Sequence, residues 1–325
     1  MYASVRAFFD QIIDYAGLFP PAKLPLEDAV RQHRECATSP HGRLLRSFVC
    51  PTVRLHDLLA LTKAAGRPLT VAALGQQSGH ASDLLQQLEG DVRFIEDHRQ
   101  ARLNAIPAES HHREFAGIST YEVALPKGIA AQLSAPLFER VAEVLERANL
   151  VGFFEIPLDL SWHDDIAKVC QALGDWQRKL QVFGRVGLKL RCGGLTADAF
   201  PNAEQVAYFI MQCRDGAVRW KATAGLHRAR RHWDPALQAW HHGFINVFAA
   251  GVLAWTQLSY PDLAEILADR ELRNLRFEAE KMWWKTWQCN TEEIAEARAN
   301  FATSFGSCSF EEPCQDLIGL GLLDP

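Results

Sequence analysis

Two strand-like runs carry lysine where a buried strand would carry aliphatic side chains: Val186-Gly187-Leu188-Lys189-Leu190-Arg191 and Val218-Arg219-Trp220-Lys221-Ala222-Thr223-Ala224-Gly225. Side chains alternate across a strand, so Lys189 and Arg191 share one face, as do Arg219, Lys221 and Thr223. The opposite faces, Val186, Leu188, Leu190 and Val218, Trp220, Ala222, are apolar and suited to covering helices. An ammonium buried without a partner costs several kcal/mol or loses its proton. Carboxylates occur in equally apolar runs: Glu122 in Tyr121-Glu122-Val123-Ala124-Leu125-Pro126, and Glu155 in Phe153-Phe154-Glu155-Ile156-Pro157. If these runs are strands of one sheet, two carboxylates and several cations face one interior. An internal salt-bridge network is the plain structural explanation, but buried pairs add little net stability over an apolar core. A site for an anionic, carbonyl-containing ligand explains the set better.

Within that set Lys221 is the candidate nucleophile. Neighbouring cations and low dielectric favour a neutral amine, which can attack a carbonyl. The run Lys221-Ala222-Thr223-Ala224-Gly225 resembles the Lys-Thr-Ser-Thr-Gly strand of deoxyribose-phosphate aldolases, whose lysine forms a Schiff base. The resemblance spans five residues. It implies that Lys221 is the nucleophile and Lys189 the group that lowers its pKa, with Glu155 or Glu122 moving protons. In that family the second lysine lies on a later strand, whereas Lys189 comes earlier here. Arg191, Thr223, His227 and His242 are candidate substrate-binding groups. Gly193-Gly194 and Gly225 could bring backbone N–H groups to an anion, as could the start of the apolar run after His242. Glu311, beyond the last strand, would reach the same mouth, although it also reads as an acidic helix start. His227, Arg228, Arg230, Arg231, His232, His241 and His242 make the stretch from Gly225 to His242 basic, a field that would draw in an acidic substrate. Cys308 reads as a small core residue.

Two other functions compete. A metal-dependent barrel enzyme could draw ligands from Glu122, Glu155, Asp159, His227, His241 and His242, but no His-x-His or Glu-x-x-His spacing joins them, and the lysines would repel a cation. A barrel that binds an anion without turning it over is the other. No cofactor is required by the amine chemistry, no metal ligands are assigned, and a divalent ion carried mainly by the substrate stays compatible.

To bring these residues together the chain must form a parallel sheet. Strand-like runs at Leu45–Thr52, Leu69–Leu74, Val92–Glu96, Gly117–Pro126, Val151–Pro157, Val186–Arg191, Ala217–Ala224 and Phe305–Phe310 alternate with amphipathic helical patterns. Eight strands alternating with helices predict an α/β fold, a single TIM-barrel-like (β/α)8 domain spanning residues 45–325. Residues 1–44 read as an N-terminal helical and loop extension packing on the barrel, with Asp14 to Ala22 expected as a plug at the barrel bottom in preference to a flap over the site. The segment Leu272 to Trp287 reads as a late insertion, a hairpin or irregular segment before the last helix and strand, with Trp283, Trp284 and Trp287 packing a late hairpin or helix. A doubly wound open sheet is disfavoured because no Rossmann glycine fingerprint follows any strand.

The chain has 325 residues, 48% of them hydrophobic and 22% charged, the profile of a globular domain. A formal net charge of −5 argues against nucleic acid as a partner. The longest apolar run, Gly243 to Trp255, is too short to span a bilayer. The eight cysteines show no CxxC or zinc-finger spacing, and no signal-peptide pattern opens the chain, so a reduced, cytoplasmic enzyme is expected. Its expected partner is a small anionic metabolite, and a homo-oligomer is compatible with the composition. Combined, these readings predict a lyase of aldolase type, or an isomerase, acting on an acidic carbonyl compound.

Overall fold

A computed structural model describes residues 1–62, 69–77, 79–105, 117–126, 135–158, 161–256 and 258–325. Thirteen strands are present among them: β1 (Ile13–Tyr15), β2 (Leu45–Pro51), β3 (Val71–Leu74), β4 (Ile118–Ala124), β5 (Val151–Glu155), β6 (Val186–Arg191), β7 (Trp220–Thr223), β8 (His232–Asp234), β9 (Ala239–His241), β10 (Leu275–Phe277), β11 (Lys281–Trp284), β12 (Trp287–Asn290) and β13 (Ala302–Ser307). Eight of them close a parallel barrel in the order β1-β13-β7-β6-β5-β4-β3-β2, with β2 returning to β1. Helices cover its outside, so the fold is a (β/α)8 barrel.

Eight barrel strands are expected and eight are found, but two differ. Val92–Glu96 lies inside the helix Leu84–Ala105, whose buried residues Leu84, Leu88, Val92 and Ile95 recur every three to four positions. The missing strand is β1, inside the segment set aside as an extension. Its three residues all lack solvent contact, too short a stretch to show alternation. The segment 1–44 therefore supplies a barrel stave. The turn after Tyr15 leaves from the C-terminal end of β1, on the side of the site, so it is no bottom plug. The helix Ala3–Phe9 packs in the outer layer, where Phe9 lies 6.4 Å from Phe244, which stacks on Phe305 of β13 at 5.2 Å. Phe8 and Phe9 are buried there, and Phe8 packs edge-on to Phe277 of the late insertion at 5.2 Å. That insertion is the three-stranded antiparallel sheet β10-β11-β12, with Trp284 buried and Trp287 exposed.

The outward faces of β6 and β7 are those the sequence predicts. Trp220 is fully buried against Phe209, Phe248 and Phe301, with ring centroids 5.6 to 6.0 Å away. The run 244–255 forms the helix Phe244–Trp255, buried along nearly all its length. Its one polar member, Asn246, donates to the carbonyls of Ile266 (2.7 Å) and Asp269 (2.8 Å) and accepts from the N–H of Arg231 (3.0 Å). Among the described residues no helix is long and apolar enough to cross a membrane.

A buried carboxylate fastens the helix Leu84–Ala105 to the sheet. Asp91 accepts from Thr52 Oγ1 at 2.6 Å and from the Tyr121 hydroxyl at 2.7 Å. Asp91→Ala would leave both hydroxyls buried and unpaired, so we expect a loss of about 2–4 kcal/mol in urea unfolding. A loss below about 0.5 kcal/mol would show that water replaces the carboxylate.

Candidate functional site

The interior of the barrel holds six charged side chains in one connected network. Lys189 on β6 and Lys221 on β7 stand in register on neighbouring parallel strands and on the same face. Glu122 on β4 bridges them, its Oε2 at 3.0 Å from Lys189 Nζ and its Oε1 in contact with Lys221 Nζ. Lys189 also meets Glu155 Oε2 at 3.2 Å, and the other oxygen of Glu155 accepts from Arg191 Nε at 2.6 Å. Lys221 in turn meets Asp14 Oδ2 of β1 at 2.7 Å, and Ser304 of β13 donates to that oxygen at 2.5 Å. Three carboxylates thus face three cations. Phe153, inward-facing on β5, lies under the Lys221 ammonium, 5.7 Å from it to the ring centroid.

The two lysines, Glu122, Glu155 and Asp14 are each at most 6% exposed, whereas the Arg191 side chain is 46% exposed. Burial alone would raise the Glu122 carboxyl, but Lys221 and Lys189 outweigh it and hold the group well below the usual carboxylate range. Glu155 follows the same pattern, with burial opposed and overcome by Lys189 and Arg191. Burial would lower the Lys189 ammonium, yet Glu122 and Glu155 keep it above its ordinary value. Lys189 stands beside Lys221 as expected, but the groups that touch the Lys221 ammonium among the described residues are carboxylates. Any neutral amine must therefore arise by passing a proton to one of them.

Asp14 is the member the sequence reading missed. It sits in Ile12-Ile13-Asp14-Tyr15, a carboxylate inside an apolar run, the same signal that marks Glu122 and Glu155. Its Oδ1 is buried with no hydrogen-bond partner among the described residues, and its Oδ2 meets the Lys221 ammonium. A proton acceptor with a free oxygen beside an amine is what a nucleophilic lysine needs.

The expected substrate-binding groups divide. Arg191 is the polar link from the network to solvent. Thr223 lies on the upper rim, in register with Gly306. Gly193 and Gly225 serve close packing of the β6 and β7 ends: a Cβ on Gly225 would come 2.9 Å from the Gly193 Cα, and Gly225 has φ +70°. A Cβ on Gly194 would meet the Ala199 side chain at 2.7 Å. His227 Nδ1 lies 3.2 Å from Glu312 and 3.8 Å from Cys308 Sγ, and burial raises the Cys308 thiol pKa. His242 does not face the mouth. It is fully buried, with Nε2 at 2.8 Å from the Pro201 carbonyl and Nδ1 at 3.2 Å from Arg231, and burial with that cation pushes its pKa down to about 4. The helix after it offers no free anion cradle, because the N–H groups of Phe244 and Ile245 donate to the carbonyls of Arg228 and Ala229. Glu311 opens the helix Glu311–Gly319 and accepts from Gln315 at 3.1 Å, an acidic first-turn residue. Arg219 lies at the other end of the barrel, donating to Gly184 and Ala299 carbonyls at 3.0 and 2.6 Å.

The ligand set imagined for a metal is dispersed. Glu122 and Glu155 are engaged by lysines, His242 is enclosed, and His241 stacks on Phe200 at 4.0 Å. Asp159 lies outside the described residues. Among those described, no three His, Cys, Asp or Glu side chains converge as a metal site.

No protein-family model matches the chain, and no curated protein matches it in sequence. Solved structures show likeness in fold. A tetrameric deoxyribose phosphate aldolase from Aeropyrum pernix superimposes with a TM-score of 0.47 at 11% identity, covering 98% of this chain and 97% of that one. A TatD homologue from Escherichia coli gives 0.30 at 13% identity, covering 96% of each chain. The catalytic module of a family 98 glycoside hydrolase from Streptococcus pneumoniae gives 0.35 at 10% identity, over 67% of this chain and 37% of that one. None of these likenesses bears on activity.

Proposed function

We propose that the chain is a lyase of aldolase type, or an isomerase, that acts on a small acidic carbonyl compound through a Schiff base on Lys221. The observation that supports this reading is the Asp14–Lys221–Glu122–Lys189 chain, in which the Lys221 ammonium touches a carboxylate whose other oxygen has no partner among the described residues. The ammonium gives a proton to Asp14, and the amine lone pair attacks the carbonyl carbon. A C–N bond forms as the C=O π pair moves to oxygen, which takes a proton. That proton comes from the attacking nitrogen, and Asp14 returns its own to the carbinolamine hydroxyl, which leaves as water; the iminium that remains is an electron sink for C–C cleavage or for proton removal beside it. Glu122 and Glu155, set on either side of Lys189, are placed to carry those protons. Arg191 is the group that meets the substrate's negative charge. The amine chemistry needs no metal or organic cofactor.

A second reading is favoured by the burial and the equal count of charges. In it the network is a polar lock that fixes the register of β1, β4, β5, β6 and β7 and reacts with nothing. Borohydride reduction in the presence of acetaldehyde, pyruvate or a triose phosphate separates the two. A reduced adduct on the peptide carrying Lys221, lost in Lys221→Arg, supports the amine reading. No adduct on Lys221 with any carbonyl tested, from folded protein, sinks it.

A further inference from the structure

The loop after β7 holds a second charged constellation that shares no residue with the lysine network. Arg228, Arg230, Arg231 and His232 join Arg270, just beyond the helix Tyr260–Ala268, and Asp316 of the C-terminal helix around a cavity of about 390 Å³. Four guanidiniums and one carboxylate leave three positive charges in excess, on a chain whose formal net charge is −5. The carboxylate is already committed: Asp316 accepts from Arg228 at 3.1 Å and from the N–H of Ala229 at 2.8 Å. Among the described residues no carboxylate forms an ion pair with Arg230, Arg231 or Arg270.

Two of the arginines share one aromatic partner. Arg231 and Arg270 both lie over the Trp240 ring, their guanidinium carbons 5.4 and 4.1 Å from its centroid. Arg231 is pinned further by His242 Nδ1 at 3.2 Å and the Leu267 carbonyl at 3.4 Å. Burial and the charge on Arg270 both push the Arg231 guanidinium below its ordinary value. Like charges gathered around one pocket without a counter-ion repel, and a cation–π contact returns little of that cost. Planar guanidinium forks match phosphoryl oxygens in paired hydrogen bonds. The cavity exceeds a single phosphate and suits a diphosphate or a phosphorylated small molecule.

We propose that this pocket is a binding site for a compact phosphorylated anion carrying two to four negative charges, either a free diphosphate or the phosphate end of a metabolite. Isothermal titration of the full chain with inorganic pyrophosphate, inorganic phosphate and ribose 5-phosphate at low ionic strength tests it. The expected result is one pyrophosphate per chain, weakened about tenfold or more in the Arg230→Ser/Arg270→Ser variant, and weakened in wild type by added salt. Tighter binding of ribose 5-phosphate than of pyrophosphate would identify the ester as the source. Because relief of repulsion is expected, the double variant should melt no lower than wild type. A Lys221→Met variant should bind pyrophosphate as wild type does, so failure of the Schiff-base reading leaves this site standing. Absence of binding by all three ligands at millimolar concentration overturns the proposal, as does binding that the double arginine variant leaves unchanged.

Discussion

Replacing Glu122 by Gln should cost about 3–5 kcal/mol in urea unfolding, because it removes the one carboxylate shared by two buried ammonium groups. The substitution keeps shape and leaves an acceptor, so the loss reports charge and not packing. Lys189 retains Glu155 and Lys221 retains Asp14, but the interior carries one positive charge too many. Adding Lys221→Met to Glu122→Gln restores the balance, with Asp14 and Glu155 facing Lys189 and Arg191. We expect the double variant to be more stable than Glu122→Gln alone, a coupling of roughly 1–3 kcal/mol in a double-mutant cycle. Strictly additive losses would mean that the two side chains do not sense each other. The same cycle bears on function. If the network is only a lock, Lys221→Met costs stability and nothing else; if Lys221 is the nucleophile, trapping is lost even where stability has been recovered.

Acid should unfold this protein in two stages with different causes. Burial, with a smaller contribution from Arg34, pushes His33 down to about 4, and His242 lies at about 4 for the reasons given above. An unfolded histidine takes up its proton near 6.5, whereas the folded one waits until about 4. Between those values the unfolded chain binds more protons, so stability falls as pH falls, by roughly 3 kcal/mol for each ring across the window. Below about 4.5 the carboxylates take over. Glu122 and Glu155 have depressed pKa values in the folded state, so the stability they contribute is complete above that range and is lost as pH drops, toward about 2 for Glu122. Lys189 acts at the other limit: its raised value contributes stability below about 10.5 that is lost as pH rises further. Urea titrations at pH 7, 5.5 and 4.5 should show a loss of several kcal/mol before the carboxylates begin to protonate. A flat profile over that interval would mean that the two imidazoles stay solvated. His33→Phe, in the pocket between Tyr15 and Phe48, should remove part of the first stage and leave the second intact.

How much of this was legible in the sequence depended on whether a residue announced itself locally. Lys189, Lys221, Glu122 and Glu155 each interrupt an apolar run with alternating faces, and period 2 alone assigns them to the inside of a sheet. The barrel followed from the alternation of strands and helices, whereas the late insertion, expected as a hairpin or irregular segment, is a three-stranded sheet. Asp14 carried the same local signal, but a three-residue strand has no period to read. Val92–Glu96 misled for a related reason. Five residues of an amphipathic helix and five of a strand look alike until the window reaches Leu84 and Leu88.

What no local signal contained was which charges meet. Sequence placed cations beside Lys221 because Arg219 and Lys189 are its neighbours in strand and register. Lys189 does stand there, but closure of the barrel also brings β1 and β4 to Lys221, and with them Asp14 and Glu122, residues 207 and 99 positions away. The same closure sends Arg219 to the opposite end and encloses His242 in the wall. Residue type and spacing determined that charged groups would line this interior. Their pairing, and so the protonation each group holds, was decided by the three-dimensional ring, because Coulomb energy depends on distance through space and not along the chain.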